Sequence, residues 1–324
     1  MRACFFVDTV AGMKPYKDTS LDLMVNATAR GHSVFVVEGF ESIAAGSAGV
    51  TANGSSITFD PRVREEKTLT SGLYQRGPEE LLSLDEMDAI FIRNDPPFGM
   101  DYSSATLLLS PLEKNTVFVN KPSGLRRISE KLTSLEFSRF IPDTLASWDV
   151  DQLRHFAEKH DQVVLKPSYF GAGAGVEIAK HDDGDFAQKV QTILALNPRG
   201  PVIAQAFLPE VKDGDTRVMM VEGRVIGAVG RKPAEGDFRA NVAMGGAAFK
   251  MELTETQRAA ASEIGKFLKE HGIIFAGLDF IRDHLIEINV TSPTLVQELR
   301  RVGGPDVSEH IWEAVEARHA KASG

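Results

Sequence analysis

The feature that most constrains the fold is the alternation of short apolar runs with helical patterns in the first third of the chain. Predicted strands are Ala3–Val7, Ser33–Val37, Ala89–Arg93 and Thr116–Asn120. A helix is predicted from Asp18 to Gly31, since Leu21, Met24 and Val25 recur at helical spacing before a terminating glycine. Alternation of this kind indicates a mostly parallel sheet covered by helices. The stretch from Gly39 to Gln75 has a poor pattern and predicts loops and an edge hairpin.

The pattern changes after Lys121-Pro122. Predicted helices are Asp149–His160, Asp183–Leu196, Thr254–His271 and Val307–Lys321, and predicted strands are Gln162–Lys166, Val202–Gln205, Arg217–Val221 and Arg224–Gly230. Glu222-Gly223 is the expected turn of a hairpin. This part is therefore predicted to be α+β with antiparallel pairs. We expect three units, residues 1–122, 123–204 and 205–324.

Composition excludes several classes of protein. The 324 residues carry a formal net charge of −9 and no long basic run, which argues against a nucleic-acid partner. The single cysteine, Cys4, cannot form a disulfide within the chain and fits a reducing compartment. No apolar run approaches the ~18 residues of a membrane span, and MRACFFVDTV lacks the features of a signal peptide. We expect a cytoplasmic protein without a membrane partner.

The stretch LDFIRDHLIEINVTSP, Leu278–Pro293, places polar side chains inside two apolar runs. Glu287 and Asn289 share a face of one strand, since they are two residues apart. A three-residue turn at residues 282–284 would put Asp279 opposite Glu287 on that face. Two carboxylates and an amide then form an oxygen-only set that suits Mg²⁺. The alternative is a solvated sheet face with its polar residues turned outward.

Two lysines and a glycine-rich loop suggest a phosphate site. Lys131 follows Ile128-Ser-Glu, and Lys166 ends an apolar strand, where an ammonium group can be partly desolvated. The loop that follows contains Gly171, Gly173 and Gly175, whose backbone N–H groups can approach phosphate oxygens. The spacing matches neither a Rossmann dinucleotide motif nor a P-loop. Each lysine alone could equally be an ordinary surface lysine.

Further residues indicate recognition of a flat ring and of acidic groups. Gln205 and the backbone that follows it can hydrogen-bond to the edge of a heterocycle. A strand end with a turn at Pro209 is an alternative explanation of the same residues. Arginines suited to carboxylate or phosphate binding lie at predicted strand ends and in glycine-flanked loops: Arg93, Arg217, Arg231 and Arg239. The Gly- and Ala-rich stretch from Pro233 to Ala248 is predicted to be a closing lid.

Taken in order, these residues resemble the ATP-grasp ligases, and more closely the bacterial-type glutathione synthetases. The resemblance covers roughly residues 1 to 320. The motifs that carry it are Lys17-Asp-Thr-Ser, Arg93-Asn-Asp-Pro-Pro-Phe, Val119-Asn-Lys-Pro, Lys212-Asp-Gly-Asp and Glu287-Ile-Asn-Val-Thr-Ser-Pro-Thr294. It implies an N-terminal α/β domain followed by an ATP-grasp fold. It also implies ligation of γ-glutamylcysteine to glycine through an acyl phosphate, with ATP and with Mg²⁺ or Mn²⁺, in a homo-oligomer that would be a tetramer.

The resemblance also implies roles for individual residues. Lys131, Lys166 and the loop glycines would hold the ATP phosphates, and Asp279, Glu287 and Asn289 the metal ion. Adenine and ribose would be met by Gln205, Phe207, Leu208 and Asp215. The catalytic arginines would be Arg217, Arg231 and Arg239. Substrate would be held by Arg93, Ser292 and Thr294, and Asn241 would contact both nucleotide and substrate.

Three short stretches differ from the usual family pattern. The loop after Lys166-Pro167 is one residue longer and lacks an Asp, Ala206 replaces an Asn, and Ala247-Ala248 follow Gly245-Gly246. An alternative function is therefore a divergent ATP-grasp ligase that joins a different peptide or amine. A nucleotide-binding protein without ligase activity would not need the metal ligands together with the arginines.

Overall fold

The computed structural model describes residues 1–171, 173–196, 200–232 and 247–323. The first unit contains β1 Arg2–Val7, α1 Thr19–Ala29, β2 Ser33–Glu38, β3 Ala44–Gly46, β4 Gly49–Phe59, β5 Tyr74–Arg76, β6 Glu80–Ser83, β7 Ala89–Ile92, α2 Met100–Leu109, β8 Val117–Val119 and α3 Pro122–Arg127. The sheet order is β3-β4-β2-β1-β7-β8, and β5 and β6 pair with β4. Strands β2, β1, β7 and β8 run parallel, which confirms the predicted open α/β sheet.

The prediction of an edge hairpin is confirmed, since β3 and β4 pair antiparallel at the edge of the sheet, but the full length of strand β4 was not expected. Its sequence, GVTANGSSITF, is rich in Gly, Ser and Asn, which are poor strand formers. It nevertheless pairs antiparallel with β2. A Cβ atom at Gly54 would lie 2.6 Å from the Val36 carbonyl oxygen and from a Leu82 methyl group, so the absent side chain permits this close approach.

Two antiparallel sheets form the rest of the molecule. The central unit contains β9 Thr144–Ser147, α4 Val150–Ala157, β10 Val163–Pro167, β11 Glu177–Ala179, α5 Phe186–Leu196 and β12 Val202–Ala206, in the order β11-β10-β12-β9. The last unit contains β13 Asp215–Val221, β14 Arg224–Lys232, β15 Ala247–Lys250, α6 Glu255–Glu270, β16 Phe275–Ile281, β17 His284–Asn289, α7 Val296–Arg301 and α8 Val307–Ser323, with strand order β15-β14-β13-β16-β17. The predicted turn at Glu222-Gly223 is confirmed, and both residues have positive φ, 53° and 71°.

The hydrophobic cores join the first unit to the last. Trp312 of α8 lies with its ring 4.9 Å from that of Phe91 and 6.4 Å from that of Phe5, and its indole N–H donates to the Leu23 carbonyl at 2.9 Å. The central unit instead has a core of its own, which includes Leu153, Phe156, Val163, Phe186 and Val202. Shared packing therefore holds the first and last units together.

Asn120 supplies a polar connection between these two units. Its amide nitrogen donates to the carbonyl oxygens of Phe275 at 2.6 Å and Val290 at 2.7 Å. Its oxygen accepts from the backbone N–H groups of Ile274 and Phe275, both at 2.9 Å. Both ends of the Asn120 amide are therefore satisfied although the residue is 2% exposed. These bonds fix β16 and the end of β17, which carry the metal-ligand candidates, against the first unit.

Two smaller expectations concern Cys4 and the membrane. Cys4 lies fully buried in β1, and burial raises the pKa of its thiol to about 12. Of the helices in the described residues, none is long and apolar enough to cross a membrane.

Candidate active site

A cavity of about 960 Å³ lies where the three units meet. Most of the predicted site residues line it: Arg93, Lys131, Lys166, Gly171, Gly173, Gln205, Phe207, Leu208, Asp215, Arg217, Arg231, Asp279, Glu287, Asn289, Ser292 and Thr294. Gly175 is not among its lining residues. Arg239, Asn241 and the predicted lid lie outside the described residues, except for Ala247 and Ala248 at the end of that lid.

The hairpin of β16 and β17 places Asp279 directly opposite Glu287. The predicted three-residue turn is wrong: Ile281 pairs with His284, so the turn is Arg282-Asp283. A register shift between Asp279 and Phe280 adds one residue to β17, and this bulge restores the side-chain parity that the shorter turn would have reversed. Both carboxylates therefore share the predicted face.

Asp279 is held by two arginines. It is 8% exposed, receives a bidentate contact from Arg217, with Nη2 to Oδ2 at 2.7 Å, and lies 3.1 Å from Arg231 Nη2. Burial acts to raise the pKa of this carboxyl, but the adjacent Arg217 and Arg231 outweigh burial and lower the pKa well below its usual range. Asp279 is thus a carboxylate in the absence of any ligand.

Asp215 completes this chain of charges. Arg231 donates to its two oxygens at 2.6 Å and 2.5 Å. Burial raises the pKa of Asp215 to about 6, and the attraction of Arg231 opposes that rise. The proximity of Asp279 and Asp215 outweighs burial at Arg231 and raises the pKa of its guanidinium.

Lys131 links the glycine-rich loop to the carboxylate strand. Its ammonium contacts Glu287 Oε1 at 2.7 Å and donates to the Phe170 carbonyl. Burial disfavours its charge, but Glu287 outweighs burial and raises the pKa of Lys131. The Lys131 ammonium therefore balances the carboxylate that β17 brings to the cavity.

Lys166 occupies a different environment from Lys131. Its side chain is buried and donates to the Gln205 amide oxygen at 2.7 Å, and the Gln205 nitrogen donates to Thr144 Oγ1 at 3.0 Å. Burial lowers the pKa of Lys166 to about 8. Lys166 therefore has a neutral hydrogen-bond partner, and an anion that enters the cavity would gain a desolvated cation.

The glycine-rich loop is shaped by close approach and by positive φ. A Cβ atom at Gly171 would lie 2.6 Å from Pro96 Cγ, and Gly173 and Gly175 have φ of 75° and 68°. The loop is also tied to the first unit, since the Phe98 N–H donates to the Tyr169 carbonyl at 3.2 Å. These contacts place backbone at the cavity next to Lys131.

Arg93 sits at the end of β7, as predicted, and is largely engaged by the protein. Its guanidinium donates to Ser20 Oγ at 3.2 Å and to the Pro293 carbonyl at 2.8 Å, while Ser292 Oγ donates to the Arg93 carbonyl at 3.2 Å. Burial lowers the pKa of the guanidinium. Arg93 thereby positions the Ser292–Thr294 segment in the cavity wall.

Glu130 is a site residue that the sequence reasoning missed. Its Oε1 accepts from the backbone N–H groups of Val290 and Thr291 at 2.9 Å and 3.0 Å, and from Thr291 Oγ1 at 2.8 Å. Glu130 thus fixes the chain between Asn289 and Ser292. The sequence signal that could have identified Glu130 is its position directly before Lys131.

The donor set on β16 and β17 fits a hard divalent cation. Asp279, Glu287 and Asn289 line one cavity, and the Asn289 amide nitrogen donates to the Gly277 carbonyl at 3.3 Å, which leaves the amide oxygen for a cation. Oxygen-only sets of this kind suit Mg²⁺, which usually completes its coordination with water and substrate phosphate. Within the described part of the chain, no group of three or more His, Cys, Asp or Glu side chains is arranged to hold a metal ion.

Comparison with solved structures shows that the fold is shared with other proteins. Solved structures of low sequence identity share the fold, among them a D-cycloserine synthetase, with a TM-score of 0.67 at 14% identity over 98% of this chain and 100% of the other. A second is a RiPP-associated ATP-grasp ligase from Chryseobacterium gregarium, with a TM-score of 0.64 at 17% identity over 98% of this chain and 97% of the other. The chain therefore shares its fold with these two enzymes.

Sequence comparison gives the family. Residues 1–126 match the N-terminal domain of prokaryotic glutathione synthetase, and residues 130–304 match the ATP-grasp domain of the same enzyme. The chain is 35% identical to the glutathione synthetase of Rhodopseudomonas palustris, over 97% of each chain, and 35% identical to that of Pseudomonas putida, over 98% of each. The chain belongs to the prokaryotic glutathione synthetase family.

Proposed function

We propose that the protein joins γ-glutamylcysteine to glycine with ATP, giving glutathione, ADP and phosphate. The observation that supports this proposal is that one cavity is lined by the Asp279–Glu287 pair together with Lys131, Lys166, Arg217 and Arg231. An acyl-phosphate route needs charge neutralisation on the transferring phosphoryl group and close alignment of two substrates. These buried cations, set against fixed carboxylates, supply both.

We assign the nucleotide to the side of the cavity formed by the central unit. Phe207 and Leu208 at the end of β12 would pack around the adenine, and Asp215 would lie near the ribose. Since the Gln205 side chain already binds Lys166 and Thr144, its proposed contact with the adenine would come from its backbone. Lys166, Lys131 and the backbone of the glycine-rich loop would hold the phosphates.

We assign the metal ion to Asp279, Glu287 and Asn289. A bound Mg²⁺, or Mn²⁺ in its place, would supply charge neutralisation for the phosphates. Glu287 would exchange its contact with Lys131 for the metal, which frees the Lys131 ammonium for a phosphate oxygen. Arg217 and Arg231 are held at the cavity by Asp279 and Asp215, and binding of Asp279 to the metal would release them to stabilise the developing negative charge.

In the proposed reaction, the cysteinyl carboxylate attacks the γ-phosphorus of ATP, and the bond to ADP breaks. The glycine amine then attacks the acyl carbon, and phosphate leaves as the peptide bond forms. The protein positions both substrates through Arg217, Arg231 and the Ser292–Thr294 segment held by Arg93 and Glu130. We include Arg239 and Asn241 in the substrate site on the basis of family resemblance. A cytoplasmic homotetramer is also proposed on that basis.

Phosphate release tests this function. Purified protein is given ATP and Mg²⁺ with γ-glutamylcysteine and glycine, and each component is then omitted in turn. We expect release that requires all four components, with glutathione identified by mass. Folded protein that binds ATP but is inactive with this pair would favour the alternative ligase, and other peptides and amines would then be screened. Ala206 lines the cavity where the family usually has Asn, so it would be the first residue to test as the cause of a changed substrate.

A further inference from the structure

The outer edge of β17 is covered by Glu130. Among the residues that the structure describes, β17 is the last strand of its sheet, so its outer backbone groups have no strand beside them. Buried edge groups of this kind need other hydrogen-bond partners. The Ile288 N–H donates to the Glu130 carbonyl oxygen at 2.8 Å, and the Val290 N–H donates to Glu130 Oε1 at 2.9 Å. Glu130 therefore takes the place of a neighbouring strand on both sides of Asn289.

The backbone just after β17 is held from two directions. The Thr291 N–H and Thr291 Oγ1 also donate to Glu130 Oε1, at 3.0 Å and 2.8 Å. On the opposite side, the Val290 carbonyl oxygen accepts from the Asn120 amide at 2.7 Å. Val290 is fully buried and Thr291 is 4% exposed, so loss of the Glu130 carboxylate would leave buried donors without an acceptor. The position of this segment therefore depends on Glu130.

Lys131, the next residue, contacts the same strand through a side chain. Its ammonium lies 2.7 Å from Glu287 Oε1 and donates to the Phe170 carbonyl of the glycine-rich loop. Glu130 thus binds the backbone on either side of Asn289, while Lys131 binds the side chain of Glu287. Two adjacent residues therefore fix the distance between two metal-ligand candidates and a lysine that we assign to the phosphates.

We propose that Glu130 is a positioning residue that holds Glu287 and Asn289 for the divalent cation and couples metal binding to nucleotide binding through Lys131, a role that rests on the proposed function. When the metal takes Glu287, the Lys131 ammonium is released, and the bonds of Glu130 to β17 keep it beside the phosphates. Partners that orient metal ligands typically contribute about 10- to 100-fold in metal affinity or activity.

ADP binding with and without Mn²⁺ tests this role in the absence of turnover. Calorimetry gives the Kd for ADP in EDTA and over a series of Mn²⁺ concentrations, and complex formation between Mn²⁺ and ADP in solution is the same for every variant. For Glu130→Leu, we expect the Mn²⁺ concentration that gives half of the tightening to rise about 30-fold. The Kd for ADP in EDTA should stay within about 3-fold, because Lys131 and Lys166 are both retained.

The conservative variant separates positioning from direct ligation. Glu130→Gln keeps an oxygen acceptor for Val290 and Thr291, so its Mn²⁺ requirement should rise only about 3-fold, since a neutral acceptor is weaker than a charged one. If Glu130 were itself a metal ligand, Glu130→Gln would be as impaired as Glu130→Leu, and that result would overturn the positioning role.

A variant of the shared core is the matched structural control. Trp312→Phe removes the buried hydrogen bond to the Leu23 carbonyl, and Trp312 does not line the cavity. We expect it to lower the unfolding free energy and to leave the Mn²⁺ requirement unchanged. The same pattern in Glu130→Leu would mean that Glu130 is only structural, and would overturn the proposal. If Glu130→Leu does not fold, Thr291→Val decides: removal of one donor should raise the Mn²⁺ requirement about 3-fold, and no rise would refute the role.

Phosphate release by the unmodified protein distinguishes this role from the proposed function. An unchanged Mn²⁺ requirement in folded Glu130→Leu, while the unmodified protein ligates γ-glutamylcysteine and glycine, would overturn the role of Glu130 alone. A Glu130-dependent effect of Mn²⁺ on ADP binding, in a protein that does not use this pair, would overturn the proposed substrates and support the positioning role.

Discussion

The wall of the cavity around Asp279 differs from the end of the cavity where Lys17, Asp18, Thr19 and Glu298 lie, which we call the α1–α7 end, in how its buried polar atoms are satisfied. On the wall, Asp279 is paired with Arg217 and Arg231, and Glu287 with Lys131. At the α1–α7 end, Thr19 Oγ1 and Glu298 Oε2 have no hydrogen-bond partner among the residues that the structure describes. The wall is therefore complete without ligand and must exchange partners on binding, whereas the α1–α7 end gains partners that it lacks.

This difference has an energetic consequence. Removing one partner of a buried ion pair is strongly destabilising, so Glu287 can leave Lys131 only when another cation replaces it. We therefore expect a divalent cation and ATP to bind with positive coupling, since the metal takes the carboxylates and the phosphates take the released cations.

The largest expected effect is that of Glu287→Gln. The amide keeps an acceptor for Lys131 but removes the charge that a metal ion requires, so ligation should fall by about 10³-fold or more. Phosphate release measures the loss, and circular dichroism checks the fold. Normal turnover by folded Glu287→Gln protein would remove Glu287 from the metal site.

Arg217→Met tests the ion-paired wall through stability. The variant leaves Asp279 with Arg231 alone, and breaking a buried pair typically costs about 3 kcal/mol or more of unfolding free energy. Denaturant unfolding with and without the substitution measures the difference. A change below about 1 kcal/mol would mean that the pair is solvated, as exposed pairs are.

Lys166→Ala tests the desolvated cation. Loss of a buried ammonium that meets a phosphate should weaken ATP binding by about 2 kcal/mol, or roughly 30-fold. Titration calorimetry measures the affinity, and Lys180→Ala, at an exposed lysine, is the matched control. Unchanged nucleotide affinity in the Lys166 variant would refute its role.

The titration of Lys166 should make the unfolding free energy and the ATP affinity change with pH in opposite directions. Its pKa falls from the ordinary 10.5 to about 8 on folding, because burial disfavours the ammonium. Between these values the unfolded chain binds more protons, so this group's contribution to the unfolding free energy rises with pH. ATP affinity should fall over the same range as the ammonium is lost. Calorimetry and denaturant unfolding check both slopes, and Lys166→Arg should abolish both, since arginine does not titrate there. A flat affinity profile in unmodified protein would contradict the assignment.

The smallest expected effect is that of Thr19→Val on stability. Because the hydroxyl is unpaired, an isosteric apolar side chain should change the unfolding free energy by less than about 0.5 kcal/mol. A loss of more than about 1 kcal/mol would show that the hydroxyl has a partner in the folded protein.

The sequence indicates the carboxylate wall better than it indicates the local geometry. The two-residue spacing of Glu287 and Asn289 places them on one face whatever the turn, so that face is readable. The bulge beside Asp279 cannot be predicted from the sequence, because a two-residue turn with a bulge and a three-residue turn without one place the same side chains on the same face. The full length of strand β4 was not expected because packing against Val36 and Leu82 overrides its weak propensity.

Contacts between segments that are distant along the chain could not be predicted from the sequence. The four hydrogen bonds of Asn120 reach residues more than 150 positions away, and nothing in Val119-Asn-Lys-Pro names those partners. The same is true of Glu298, which meets the start of α1 only because the cores of the first and last units are shared. Residue types marked the chemistry of the site, while tertiary packing decided which charges are paired.

The central claim is ligation through an acyl phosphate, and oxygen transfer tests it most directly. γ-Glutamylcysteine carrying ¹⁸O in its cysteinyl carboxylate is turned over with ATP, Mg²⁺ and glycine, and the released phosphate is analysed by mass. We expect one ¹⁸O atom in the phosphate for each glutathione formed, because the carboxylate oxygen that attacks phosphorus departs with it. Unlabelled phosphate formed alongside glutathione, or label in AMP, would contradict it.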